Sequence, residues 1–242
     1  MRLFDALILD IEGTVTSISF VKDTLFPYAS DHVESWLVEH FDEPQVGHMI
    51  EDVRRYSAQS TDAIVRKVRA TSKKETIEDV VNNVRHWIQK DEKVTPMKAL
   101  QGLIWQEAYS RGAIKGHVYP DVLSNLTKFR NEDIRVFIYS SGSVHAQKLL
   151  FSHSVVGDLS EFIRGYFDTN IGYKGQAASY AKICQEISVE TQRVLFLTDL
   201  EAEARAAAKA GLQVKIVWRD ENAELSQAAR EDFDVITSLE EL

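Results

Sequence analysis

Four stretches of this chain carry side chains suited to phosphoryl transfer, and each follows an apolar run or lies between glycines. The first is Asp10-Ile11-Glu12-Gly13-Thr14. Two carboxylates one residue apart point to opposite sides of an extended chain, but a turn at Gly13 can swing both toward one pocket, while an ordinary strand-ending Asp with a solvent-facing Glu accounts equally well for the pair taken alone. The second, Ser140-Ser141-Gly142-Ser143, offers hydroxyls and the backbone N–H groups of a helix start to phosphoryl oxygens. A helix-capping serine accounts equally well for that pattern. Lys174, inside Gly172-Tyr173-Lys174-Gly175, can bring positive charge to a phosphate, although a lone loop lysine ordinarily stays in water. Thr198-Asp199 and Glu203 add hard oxygen donors of the kind a divalent cation takes, with Glu203 one helical turn further along the same side. A dianionic phosphate repels an attacking carboxylate, so a reaction at Asp10 needs a cation and a lysine between the two.

Such residues need a scaffold that ends several strands at one edge. The apolar runs Ala6-Leu7-Ile8-Leu9, Val136-Phe137-Ile138-Tyr139, Val194-Leu195-Phe196-Leu197 and Val214-Lys215-Ile216-Val217 fit buried parallel strands, with a weaker fifth at Asp234-Val235-Ile236. Helical patterns over Val122–Phe129, Val144–Phe151, Ala177–Ile187 and Ala202–Ala210 supply the crossovers, and Gly211 stops the last of them. The expected fold class is α/β, a doubly wound Rossmann-like parallel sheet with its ligand site at the carboxyl ends of the strands. No G-x-G-x-x-G follows the first strand, which argues against dinucleotide binding.

From about Ser17 to Gly116 the pattern is helical instead. Val33, Trp36 and Leu37, then Ile64, Val65 and Val68, then Val80, Val81, Val84, Trp87 and Ile88, then Leu100, Leu103 and Ile104 recur at three-and-four spacing. The expected domains are a core of residues 1–16 and 117–242 and a helical insertion of 17–116. The charged stretch from Arg66 to Glu75 reads as a solvated helix end and loop.

The 242 residues, 44% hydrophobic and 27% charged, suit a soluble core domain with a smaller insertion. No apolar run approaches the roughly 18 to 20 residues that cross a bilayer. The N-terminal Met1-Arg2-Leu3-Phe4 is interrupted by Asp5 and Asp10 and precedes no small-residue cleavage pattern, which argues against a signal peptide. A net charge of -9 with no basic stripe disfavours nucleic acid and anionic membrane as partners. The single cysteine, Cys184, excludes an internal disulfide, suits a reducing compartment, and reads as a buried thiol beside Ile183 and Ile187.

Taken together, the four stretches resemble the haloacid dehalogenase (HAD) superfamily. Asp10-x-Glu12-Gly13-Thr14-Val15 matches its first motif, Ser140 its second, Lys174 its third, and Asp199 with Glu203 its fourth. Glu12 departs from the Asp that most superfamily phosphatases carry. The first motif followed by Ser19-Phe20-Val21-Lys22-Asp23-Thr24-Leu25-Phe26-Pro27-Tyr28 is similar, more closely, to the enolase-phosphatase family of methionine salvage. Leu100–Trp105, Tyr139–Ser143, Ala146–Phe151, Gly165–Thr169 and Phe196–Asp199 agree, and the similarity is weakest from Phe41 to Pro96.

This resemblance implies an HAD-like core with a helical cap that closes over the site and reads a methylthio tail. It implies a magnesium-dependent phosphoric monoester hydrolase that turns 2,3-diketo-5-methylthiopentyl-1-phosphate into acireductone plus phosphate through an aspartyl-phosphate. Asp10 and Glu12 would be catalytic, and Ser140, Ser141 and Lys174 would bind substrate. Asp10, Glu12 and Asp199 would hold one Mg2+ per subunit, Glu12 through its backbone carbonyl, with Glu203 supporting the ion indirectly. The partner implied is the small phosphorylated diketone, the protein a monomer, and the compartment cytoplasmic with the nucleus left open. Three alternatives remain on the residues alone: a generic sugar-phosphate phosphatase, an idle phospho-ligand binding module, and a metal-independent dehalogenase, which has no use for Asp199.

Overall fold

The computed structural model describes residues 3–242, so Met1 and Arg2, part of the stretch weighed above as a leader, lie outside it. In chain order the elements are β1 (Ala6–Leu9), α1 (Phe26–His40), α2 (Pro44–Gln59), α3 (Lys73–Gln89), α4 (Thr95–Ser110), α5 (Asp121–Asn131), β2 (Arg135–Tyr139) and α6 (Val144–Ser152). There follow β3 (Ile163–Phe167), α7 (Ala177–Glu186), β4 (Val194–Thr198), α8 (Glu201–Lys209), β5 (Gln213–Val217), α9 (Gln227–Asp232) and β6 (Asp234–Ile236). The chain divides into two compact units, Met1–Val21 with Lys115–Leu242, and Lys22–Ile114.

In the α/β unit the strands run parallel in the order β3-β2-β1-β4-β5-β6. All four residues of β1 are apolar and fully buried, which is what a central strand covered on both faces requires. Its last residue, Leu9, lies between Ile138 of β2 and Leu197 of β4. The chain winds from β1 outward to β3 and then crosses back to β4, so a crevice opens beyond the carboxyl ends of β1 and β4, where such sheets bind ligands. Phe137, Tyr139, Tyr180, Ile183 and Phe196 pack one face. Cys184 joins them as a buried free thiol that burial pushes up to about 11, far from nucleophilic. Gly211, at φ +91°, ends α8 as its position foretold.

Strand β3 is absent from the sequence reading. Ile163-Arg164-Gly165-Tyr166-Phe167 forms the sheet edge and keeps Arg164 exposed, so its run is neither continuous nor alternating. Gly165 weakens the pattern further and packs closely on Phe137, since a Cβ there would stand 3.1 Å from its Cδ1.

In the helical unit α1 to α4 turn their apolar stripes inward, with Trp36, Leu37, Ile50, Val84, Trp87 and Leu100 in one core. Helix α3 starts at Ser72, whose Oγ accepts the Glu75 N–H. Ile64, Val65 and Val68, expected on a helix, instead lie on an irregular segment between α2 and α3. Side chains of α3 hold that segment. Asn83 Oδ1 accepts the Arg66 N–H at 2.7 Å while its Nδ2 donates to the Arg66 carbonyl at 2.8 Å. Asp79 accepts the Arg69 N–H at 3.1 Å and its guanidinium Nε at 2.7 Å, so Arg69, exposed as expected, is also tied to a buried acid. Asn83→Ala removes both Arg66 bonds at once and is expected to lower stability by about 1–2 kcal/mol in urea unfolding; an unchanged midpoint would mean that water replaces them. Among the described residues no helix is long and apolar enough to cross a membrane.

Candidate active site

Beyond Leu9 the chain turns sharply. Asp10 N–H still donates to Leu197 C=O at 2.9 Å, and the N–H groups of Thr14, Val15 and Thr16 all converge on Ile11 C=O. Gly13 takes φ +69°, and a Cβ there would stand 2.5 Å from Asp199 Oδ2, so only glycine lets this turn and the end of β4 approach. The turn leaves Asp10 only 4% exposed. Its Oδ1 accepts the Ile11 N–H at 2.8 Å and Lys174 Nζ at 2.6 Å. The Thr198 hydroxyl has one proton, and Glu203 Oε2 at 2.9 Å is a better acceptor for it than Asp10 Oδ2 at 3.4 Å. Oδ2 is thus the less engaged oxygen of Asp10. Glu12 is half-buried, and its backbone bridges to Thr16.

Lys174 is only 5% exposed, unusual for a loop lysine. Its loop is captured at three successive carbonyls: Gly172 by Tyr139 Oη at 2.9 Å, Tyr173 by Ser179 Oγ at 2.8 Å, and Lys174 itself by Tyr180 Oη at 2.7 Å. Nζ then lies 2.6 Å from Asp10 Oδ1 and 2.7 Å from Glu203 Oε2. Burial alone would lower the ammonium pKa, but the Asp10 and Glu203 charges outweigh it and hold the pKa above the ordinary lysine value. None of Tyr139, Ser179 and Tyr180 stands out in sequence as a site residue, because hydroxyls that act on backbone carbonyls have no characteristic spacing.

The same contacts fix the surroundings of Glu203. Expected to support a metal beside Asp199, its carboxylate is engaged by Lys174 and Thr198. Burial, reinforced by the Asp10 charge, pushes Glu203 up to about 7 and Asp199 up to about 8. Three buried carboxylates around one ammonium leave excess negative charge on hard oxygen donors, which suits a divalent cation. Two further buried oxygens nearby, Thr14 Oγ1 and Asn222 Oδ1, have no hydrogen-bond partner among the described residues.

At the end of β2, Ser140 is buried and its Oγ accepts the Gly142 N–H at 3.2 Å, so the hydroxyl proton remains to be donated. Ser141 is half-buried. The capping serine is Ser143, which accepts the Ala146 N–H at 3.2 Å, while Asp168 accepts the Val144 N–H at 3.2 Å. Two N–H groups at the start of α6 are therefore occupied rather than offered to a phosphate. Gln147 Nε2 fixes the loop from below through Gly142 C=O and Phe167 C=O, both at 2.8 Å. Neither Asp168 nor Gln147 was picked out as a site residue in the sequence. The arrangement presents a buried carboxylate, a fixed ammonium and a hydroxyl donor at the carboxyl ends of the strands, groups that phosphoryl transfer can use.

Comparison with known proteins agrees with this geometry. A family model described as hydrolase, haloacid dehalogenase-like hydrolase, matches residues 4–211. Enolase-phosphatase E1 of Caenorhabditis briggsae is 59% identical over 241 residues, covering 99% of this chain and 96% of that protein. Its counterpart in Caenorhabditis elegans is 58% identical over 240 residues, covering 99% and 97%. The crystal structure of UTR4 protein from Saccharomyces cerevisiae superposes with a TM-score of 0.80 at 33% identity, covering 99% of this chain and all of that one. With Asp10, Lys174, Asp199 and Glu203 brought together and relatives this similar over nearly its whole length, the chain belongs to the haloacid dehalogenase-like hydrolases and, among them, to the enolase-phosphatase E1 family.

Proposed function

We propose that the chain is a Mg2+-dependent enolase-phosphatase of methionine salvage, acting as a cytoplasmic monomer with one ion per subunit. It enolises 2,3-diketo-5-methylthiopentyl-1-phosphate and hydrolyses the phosphate ester, giving acireductone and phosphate. The observation that carries this reading is Lys174 Nζ seated 2.6 Å from Asp10 Oδ1 at the β1–β4 crevice, in a chain 59% identical to an enolase-phosphatase.

Asp10 attacks phosphorus, the bond from phosphorus to the ester oxygen breaks, and the aspartyl-phosphate is then opened by water to return the free carboxylate. Lys174 neutralises the phosphoryl oxygens and Ser140 and Ser141 hold them. Asp10, Asp199 and the Glu12 backbone carbonyl would bind Mg2+, which supplies positive charge against the repulsion of nucleophile and phosphate and polarises the substrate carbonyl. That leaves the Glu12 carboxylate to take the proton from the carbon bearing the phosphate ester. The helical insertion would supply selectivity for the methylthio tail.

Purified protein given the diketone phosphate and Mg2+ is expected to release phosphate in step with acireductone absorbance. Comparable release from a panel of sugar phosphates, with no acireductone, would identify a generic phosphatase instead. Glu12→Gln is expected to lose most deuterium uptake from heavy water at the enolised carbon, followed by NMR. Wild-type exchange in that variant would pass the base role to another group.

A further inference from the structure

The turn after β5 reaches back to the segment after β1 through three of its four residues, Arg219, Glu221 and Asn222. Arg219 Nη2 donates to Thr14 C=O at 3.0 Å and pairs with Asp121 at 2.9 Å. Glu221 accepts both the Ser19 N–H and the Ser19 hydroxyl at 3.0 Å. Asn222 Nδ2 donates to Gly13 C=O at 2.9 Å and to Val217 C=O at 3.2 Å.

Two carbonyl partners on Nδ2 settle which way the Asn222 amide points. Its Oδ1 faces the other way, in a residue only 9% exposed, and has no hydrogen-bond partner among the described residues. The position a Cβ on Gly13 would occupy lies 3.1 Å from this Oδ1 and 2.5 Å from Asp199 Oδ2. An amide oxygen and a carboxylate oxygen, both acceptors, thus both lie close against Gly13 in the Asp10 turn. The orphaned Asn222 Oδ1 calls for a donor beside the Asp199 carboxylate, and water polarised by a cation is a strong donor that also suits the negative charge of the site.

We propose that Asn222 is a positioning residue of the metal site. Its Nδ2 locks the Gly13 carbonyl, and its Oδ1 takes a hydrogen bond from the hydration shell of a divalent cation bound at Asp10 and Asp199. This rests on the metal-dependent reading above and extends it to a residue outside every motif that identified the family. Outer-shell partners of this kind fix both the ligands and the water they leave on the ion.

The test is calorimetric titration of the purified protein with MgCl2 in the absence of substrate. Asn222→Ser, which removes Nδ2 and the oxygen at its present reach, is expected to weaken binding about ten- to a hundredfold. Asn222→Asp keeps an oxygen facing Asp199 but loses the Nδ2 bonds to Gly13 and Val217, and is expected to bind more weakly than wild type and more tightly than Asn222→Ser. Glu221→Gln, in the same turn but bonded only to Ser19, is expected to match wild type. Wild-type affinity in folded Asn222→Ser overturns the inference, as does an equal loss in Asn222→Asp or Glu221→Gln. Should Asn222→Ser not fold, Asn222→Leu, of similar size with neither polar atom, carries the same expectation. In wild-type protein the Asn222 side-chain amide signal is also expected to shift in NMR spectra when Mg2+ is added, and its constancy would refute the contact. A wild type that binds Mg2+ but leaves the diketone phosphate intact refutes the substrate reading and not this one. A wild type that binds no divalent cation refutes both.

Discussion

Asp10→Asn is expected to lower phosphate release by about ten-thousandfold or more, while the metal-free protein becomes no less stable than wild type. The amide keeps an oxygen for the Ile11 N–H and for Lys174, the two groups that Asp10 Oδ1 accepts from. What it loses is the charge that attacks phosphorus. That same charge helps to push Asp199 up to about 8 and Glu203 up to about 7, so its removal relieves repulsion inside the site. Catalysis and metal-free stability therefore move in opposite directions, a signature that a merely structural aspartate would not give. Single-turnover phosphate release and urea unfolding in chelator measure the two halves. Wild-type turnover would remove the covalent intermediate from the account, and a large stability loss would show that the Asp10 charge holds the fold rather than straining it.

Lys174→Met is expected to be costly in both respects. Lys174 Nζ is shared by the carboxylates of Asp10 and Glu203, all three side chains being nearly closed to water. Removing one partner of a buried ion pair costs about 3–5 kcal/mol, because the remaining charge is left uncompensated. Activity is expected to fall by about a thousandfold, since a preorganised cation is lost where charge develops. Adding Glu203→Gln to Lys174→Met removes one of the two stranded carboxylates and is expected to restore part of the stability and none of the activity. Lys174→Arg should not rescue either, because three carbonyl clamps fix the loop at a reach that suits a single ammonium rather than a planar fork. Thermal unfolding of the single and double variants decides the point. No recovery in the double variant would mean that Glu203 is not the group Lys174 compensates.

The parts legible in the sequence share one physical cause. Central parallel strands are closed to water on both faces, so Ala6–Leu9 and Val194–Leu197 are continuous apolar runs and the polar residues that follow each are conspicuous. Asp10 and Asp199 are visible for that reason. Edge strand β3 lacks that double burial and was missed. The three-and-four spacing of Ile64, Val65 and Val68 mimics a helix, but Asn83 and Asp79 bind the backbone around them and no helix forms. Helical spacing placed Glu203 near Asp199 yet could not show Lys174 arriving from another loop to claim it. Asn222 is the extreme case, since the carbonyl it holds lies 209 residues away.

The position of β1 has a further consequence for synthesis. Its partners, β2 and β4, begin at Arg135 and Val194, whereas the helical unit forms its contacts within Lys22–Ile114. On a ribosome adding about 5–20 residues per second, Ala6–Leu9 waits roughly 6 to 26 s before β2 has been made. A fully apolar segment left unpaired for that long is an aggregation hazard, and flanking charges are the usual protection. Those charges are Asp5 and Asp10. The proposed nucleophile would thus have an earlier task, keeping its own strand soluble until the rest of the sheet exists.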